Sequence, residues 1–408
     1  MMKQLFWTVT LFLIAFPRIA LTAGLTVALA NETQLSGFVS GEIRGFVSDA
    51  QFESQLNGLQ SSIIIQPEFL NQPELSTARI SLIPFVRLDS RDDRRSHADL
   101  REAYWQHIDD QWTVLIGINR VFWGVTESSH LIDIINQTDL VENIDGEEKL
   151  GQPMINLATQ QDWGNVSLFI MPWFRERTFP SKQGRLRSQP VASQNSLYES
   201  TDGQRHLDMA LRYSHYIGDW DFGLYYFKGT SREPRFLLNS NGTQLVAQYD
   251  LIDQVGIDIQ LTNDAWLWKF EGIVRSQNGD RFAAIVSGFE YTLYQVANSA
   301  TDLGLLMEYS RDGRNKNPSK TPPVVFDDAI FWAARLAVND TQNSELLAGV
   351  VVDRNDGSAI LSIEAKRRLD DNWSIGLESR WFLKTKENNS LSPFRKDSFV
   401  TFRLARYF

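Results

Sequence analysis

The sequence predicts an all-β chain: a transmembrane antiparallel β-barrel of about 18 strands, with about 16 as the fallback count, short periplasmic turns and long extracellular loops. Three observations carry this. Most of the chain past residue 30 alternates apolar and polar side chains, the period of a strand. Past the N-terminus no apolar run reaches the ~18–20 residues of a spanning helix, so a membrane-crossing chain must close as a barrel, in which every backbone polar group finds a partner. The connections alternate between short acidic turns and long polar stretches, the arrangement of a barrel with two unlike rims.

Bulk properties fit that class. The 408 residues suffice for one large barrel or two or three soluble domains. The formal net charge of -10 argues against a nucleic-acid surface. The absence of cysteine leaves nothing to misoxidise during export.

Residues 1–30 read as an export signal, with Lys3 as the positive charge, an apolar stretch over 5–16 and Ala28-Leu29-Ala30 as the cleavage site. Leu21-Thr22-Ala23 is the alternative cleavage site. Pro17 and Arg18 interrupt the apolar run, so it is too short to anchor the chain. Residues 31–408 then form the barrel, which places the chain in the bacterial outer membrane.

The strands come in order. Residues 35–48 put Val39, Ile43 and Val47 opposite Glu42, Arg44 and Phe46. Residues 77–88 put Ile80, Leu82, Val86 and Leu88 opposite Arg79, Ser81 and Arg87. The pattern recurs at 112–119, 165–174, 220–228, 266–276, 302–310, 329–339, 345–353, 358–368 and 373–384. Weaker segments are 61–70, 100–108, 152–161, 206–217, 251–261 and 282–296. Residues 398–408 close the series, with Val400, Phe402, Leu404 and Phe408 alternating with Thr401, Arg403 and Ala405; Arg406 on the apolar face can snorkel to an interface. An even strand number puts both termini at one rim and lets the first and last strands pair.

Short turns fall at 109–111, 161–162, 218–219, 262–265 and 369–372; long polar connections fall at 90–97, 120–151, 175–204, 229–243 and 312–326. Trp112, Trp163, Trp220, Trp266 and Trp373 each follow a short turn, at the foot of an upward strand. Indole prefers the headgroup level, so five at one height predict an aromatic girdle.

A Lys or Arg facing lipid at the midplane costs about 2–4 kcal/mol, which decides the faces. Arg44, Arg79, Arg87, Lys269, Arg275, Arg335, Lys366, Arg380 and Arg403 must face inward, beside Glu42, Asp208, Asp258, Glu271, Glu308 and Glu364. The expected lumen is polar and of mixed charge. The connection 120–151 is acidic at its far end and apolar in its middle (Leu131, Ile132, Ile134, Ile135), and an apolar run seeks a contact. The expectation is that it folds into the lumen, its apolar run on the inner wall and its acids toward the opposite cations. Arg44, Arg79, Arg87, Arg120, Asp133, Asp139, Arg275, Arg335, Lys366 and Arg380 are then the pore-lining or constriction candidates, with Trp123 anchoring the loop's start.

Catalytic and metal signatures are absent. The five histidines have no ligand spacing such as H-E-x-x-H, and there is no G-x-S-x-G elbow and no phosphate-cradling loop. Ser214-His215 is the nearest approach to a hydrolase pair, but neighbours on a strand face opposite ways. No enzyme activity, cofactor or metal is expected.

Leu100-Arg-Glu-Ala-Tyr104, Gly117-Ile-Asn119, Trp123-Gly124, Asp133 and Asn136-Gln-Thr-Asp139 together resemble a porin-like proteobacterial outer-membrane β-barrel family catalogued as a domain of unknown function. Pro153, Pro172, Asn339-Asp340-Thr341, Gly349 with Asp353, and Glu364 with Arg367 and Arg368 extend the likeness over most of the mature chain. The sequence departs at Asn119, where the family favours Gln, and at Gln137, where it favours Pro. The resemblance implies the barrel fold and bears little on substrate. The closing strand looks like that of outer-membrane barrels, in which a terminal aromatic such as Phe408 is a signal to the barrel assembly machinery.

The function expected from all this is a porin-like channel for passive or substrate-selective diffusion of small solutes, in contact with outer-membrane lipid, as a monomer or a homotrimer. The alternative is a structural, adhesion or assembly barrel acting through its extracellular loops.

Overall fold

The computed structural model describes residues 33–73, 76–386 and 389–408. Residues 1–30, expected from the sequence to be an export signal, lie outside them. The strands are β1 (Thr33–Phe46), β2 (Leu59–Asn71), β3 (Ala78–Asp89), β4 (His97–Ile108), β5 (Trp112–Asn119), β6 (Gln152–Gln161), β7 (Gly164–Met171), β8 (Val191–Tyr198), β9 (Asp208–Ile217), β10 (Trp220–Thr230) and β11 (Arg235–Leu238). They continue with β12 (Gln244–Tyr249), β13 (Leu251–Asn263), β14 (Trp266–Gln277), β15 (Asp280–Leu293), β16 (Asp302–Asp312), β17 (Asp328–Ala337), β18 (Glu345–Asp353), β19 (Ala359–Arg368), β20 (Trp373–Lys384) and β21 (Phe399–Tyr407). Among the described residues no helix is long and apolar enough to cross a membrane.

Eighteen of these strands form one closed antiparallel barrel. Neighbours in sequence pair, except that β7 passes over β8 to reach β9 and β10 passes over β11 and β12 to reach β13. Closure is β1 on β21, from Phe38 opposite Tyr407 to Phe46 opposite Phe399. Each of the 18 segments read from alternation maps onto one wall strand, the six weaker ones included. Bounds move at some ends: the strand read as 165–174 stops at Met171, and that read as 329–339 stops at Ala337, two residues before Asn339 turns to a φ of 56°.

The wall is inside-out relative to a soluble protein. Val39, Ile43, Ile63, Leu88, Phe402 and Leu404 are exposed, whereas Glu42, Arg44, Arg87, Glu271, Arg275 and Glu308 are buried. A strand alternates its faces, so only a barrel that turns its charged face inward gives this pattern. Trp112, Trp163, Trp220, Trp266 and Trp373 are all exposed at the short-turn rim. Arg406, the cation on the apolar face, lies 5.9 Å over the Trp373 ring, a contact that accommodates charge at the rim.

Two departures stand out. The connections 175–204 and 229–243, expected as polar loops, carry β8 and β11, which with β12 make a separate three-stranded sheet. Its own small core is Phe174, Ala247 and Tyr249 with Phe179, Tyr198 and Phe236. Second, the alternation of rims breaks between β14 and β15. Asn278 and Gly279 both have positive φ, 47° and 73°, and an Asn-Gly pair of that kind closes a tight hairpin at the rim that carries the long loops, where residues 354–358 between β18 and β19 are also a short connection.

Candidate functional site

Residues 120–151 run from β5 to β6 and bond side chains on both sides of the wall. The apolar run packs first. Ile132, Ile134 and Ile135 are buried with Trp123 against Met154, Phe169, Met171, Tyr225, Phe227 and Ile273, which come from β6, β7, β10 and β14. Trp123 meets Phe169 at 5.5 Å and Tyr225 at 5.1 Å, and the Arg212 guanidinium lies 4.9 Å over its ring. Just before the segment, Gly117 has a φ of 142°, and a Cβ there would come within 2.2 Å of the Ala103 carbonyl oxygen on the neighbouring strand β4, so this wall position takes glycine.

The leading half is held through its backbone. Glu271 on β14 accepts the N–H groups of Val125 (2.7 Å) and Thr126 (3.1 Å), the Thr126 hydroxyl (2.8 Å) and the Ile132 N–H (3.3 Å). Glu308 on β16 accepts the N–H groups of Glu127 and Ser128, both at 2.7 Å, and the Ser128 hydroxyl at 2.6 Å. A carboxylate accepting several donors is well satisfied although both acids are buried. Glu127 in turn pairs with Arg335 on β17 at 2.7 Å.

The trailing half is held to the wall chiefly through its acidic side chains. Arg87 on β3 lies between Glu142 at 2.6 Å and Glu42 at 3.0 Å. Arg95 reaches Glu42 at 2.7 Å and donates to the carbonyls of Val141 and Glu142. Arg101 on β4 pairs with Asp139 at 2.9 Å, which also accepts the Thr178 hydroxyl at 2.7 Å. Burial pushes the Asp139 carboxyl up, but the His97 hydrogen bond and the Arg101 guanidinium outweigh it and hold its pKa at about 2. Further on, Asn143 donates to Glu378 at 2.8 Å and Asp145 meets Arg380 at 3.2 Å.

The sequence-derived candidates therefore separate. Arg87, Asp139 and Arg380 join the loop to the wall, and Arg335 meets its leading half. Arg44 lies beside them, donating to Thr401 at 3.0 Å with Glu378 at 4.0 Å. Asp133 pairs within the loop with Lys149 at 3.0 Å, and burial raises its pKa despite that partner. Arg275 belongs to a different group, bonded to Gln254 and to Glu233 of the β10–β11 connection. Arg120 approaches Glu102 at 3.5 Å, and Arg79 lies 5.9 Å over the Tyr104 ring. Lys366, two-thirds exposed near the short-turn rim, pairs with Glu345 at 3.0 Å. Sequence reading did not single out Arg95, Arg101, Glu271 or Glu308 as site residues. Arg101 sat within the quoted Leu100–Tyr104 motif, and the two acids were recognised only as inward-facing.

His97, Asp139 and Glu142 bring ligand-type atoms within 4.8 Å of one another. Arg87 and Arg101 already neutralise both carboxylates at 2.6 and 2.9 Å, so the cluster reads as an ion-pair network and not as a cation site.

No family model matches the chain and no curated protein matches it, so the family resemblance rests on the quoted motifs. Among solved structures it is similar to Acinetobacter baumannii OccAB3, at 7% identity and a TM-score of 0.54, covering 92% of this chain and 99% of that one. It is also similar to Pseudomonas aeruginosa OpdO, at 9% identity and a TM-score of 0.53, covering 93% and 98%. At these identities the likeness establishes the shared fold: the chain is a closed 18-stranded antiparallel barrel of the porin type.

Proposed function

We propose that the chain is an outer-membrane channel that passes small polar solutes by diffusion, with residues 120–151 folded across the lumen as its constriction. The carrying observation is the double attachment of that segment, to Glu271 and Glu308 on one side and to Arg87 and Arg380 on the other. All four are inward-facing wall residues, and a segment bonded to them from both sides supports a narrowed passage bordered by mixed charge. The exposed apolar belt with its rim tryptophans supports a bilayer setting. Under this reading residues 1–30 are removed after Ala30 during export, and Phe408 serves assembly. Arg335 and Arg120, each part-exposed beside a carboxylate, are the cations proposed to meet the solute, and the fully buried Asp139 holds the loop in place.

The test is single-channel recording of purified protein in a planar bilayer. Reproducible conductance steps are expected. Well-folded protein that inserts and gives no steps would overturn the channel reading and favour action through the long loops.

A further inference from the structure

At the long-loop rim, residues 51–54, Arg94, residues 182–191 and residues 243–244 enclose a cavity of about 900 Å³. Three cations line it: Arg94, Lys182 and Arg187. Among the described residues no carboxylate oxygen lies within ion-pair distance of any of the three, whereas nearly every arginine of the inner wall has such a partner. Arg187 is only 3% exposed, and its guanidinium is held by neutral oxygens alone: Lys182 O at 3.1 Å, Ser188 O at 3.0 Å, Gln189 Oε1 at 2.6 Å and Ser54 Oγ at 3.1 Å. Its flat face lies 5.0 Å over the Phe52 ring. The Arg94 guanidinium likewise donates only to the carbonyls of Ala192 (3.0 Å) and Pro180 (3.4 Å), while its backbone N–H donates to Asp92 Oδ1 at 3.0 Å. Among the described residues the Lys182 ammonium has no partner, and the lining's one acid, Glu53, is exposed and unpaired.

Burying a cation without a counter-charge is costly, and proteins normally pair it. Burial is the largest influence on both arginines and lowers their pKa values, outweighing the more distant carboxylates of Asp92 for Arg94 and Asp397 for Arg187. The amides of Gln51, Gln189 and Gln244 add neutral donors around the cations. We propose that this cavity is a binding site for a small anionic solute bearing a phosphate or clustered carboxylates, of about sugar-phosphate size, which Arg94, Lys182 and Arg187 complete as their missing counter-ion. The site deepens the channel reading by naming the solute class gathered at the rim, and it rests on that reading only for its purpose. Binding itself does not require conduction.

The experiment is calorimetric titration of detergent-purified full-length protein with glucose 6-phosphate, with glucose as the uncharged control. Saturable binding of the phosphate ester, weakened by added salt, and none of glucose are expected. Lys182→Gln, whose ammonium bonds nothing in the protein, should weaken binding several-fold without touching the fold, and Arg187→Gln by about tenfold or more. Equal behaviour of the two sugars, or undiminished affinity in both variants, would overturn the site. Lipopolysaccharide is the second arm: binding of it that depends on Lys182, with none of glucose 6-phosphate, would assign the cations to lipid phosphates and contradict the solute reading. Conductance steps without glucose 6-phosphate binding would sink this site and leave the channel standing. Binding without steps would do the reverse.

Discussion

The two halves of residues 120–151 are fastened to the wall by different chemistry. The leading half offers backbone N–H groups of residues 125–128 to two wall carboxylates, Glu271 and Glu308. The trailing half offers its own acids, Asp139, Glu142 and Asp145, to wall arginines. Backbone donors are present whatever the loop's side chains, so the first attachment is set by the wall and resists change in the loop sequence. The second needs a charged side chain on the loop itself, so it depends on loop sequence. The difference teaches that one hinge of the segment is robust and the other adjustable.

The largest effect is expected from breaking the trailing attachment at its centre. Arg87→Ala leaves Glu42 and Glu142 buried beside each other, and losing one partner of a buried pair costs about 3–5 kcal/mol. A large drop in thermal stability with exposure of residues 137–150 to protease is the expected outcome. A near-silent Arg87→Ala would show that Arg95 alone suffices. Next, Glu271→Ala strands the amides of Val125, Thr126 and Ile132 and should cost about 2–4 kcal/mol, at about 1–3 kcal/mol for each buried unsatisfied group before relaxation. Hydrogen exchange should quicken at residues 125–132 and stay unchanged at 139–150. Uniform quickening along the loop would mean the halves are not separate units.

Acid tests the trailing attachment on its own. The Asp139 pKa is held at about 2, below its ordinary 3.8. A depressed carboxyl contributes stability that is fully present above the ordinary value and is lost as pH falls through the folded one. Between about pH 4 and pH 2 the Asp139 attachment should therefore weaken by up to about 2 kcal/mol, a loss that Asp139→Asn should abolish when unfolding is followed against pH. An acid loss of the same size in Asp139→Asn would contradict the assignment. The smallest effect is expected at Asp133, whose pKa burial raises. Asp133→Asn removes a charge that is poorly housed and should cost under about 1 kcal/mol at neutral pH, clearly less than Asp139→Asn, measured by thermal unfolding.

Much of the barrel was legible because one physical rule governs it everywhere. A strand between lipid and a polar interior must alternate, so Val39 to Ile43 and Ile375 to Leu383 announce their faces from composition alone. The sheet of β8, β11 and β12 obeys no such rule. It lies outside the wall, β11 has four residues and β8 reads Val-Ala-Ser-Gln-Asn-Ser-Leu-Tyr, which does not alternate. The loop's apolar run was legible as a segment needing a contact, and it is buried with Trp123. Its anchors were not. Glu271 and Glu308 look like any inward acid, and their partners are 139 to 181 residues away in sequence. Asp133 and Asp139 drew attention through family likeness, yet the first pairs with Lys149 of the loop itself and the second is wholly buried.

The central claim, that residues 120–151 narrow the passage, is tested most directly by removing residues 125–150 and recording single channels from the variant that still folds as a heat-modifiable barrel. The account predicts a larger unitary conductance and a weaker ion preference than the full chain. Conductance and ion preference unchanged from the full chain would contradict it.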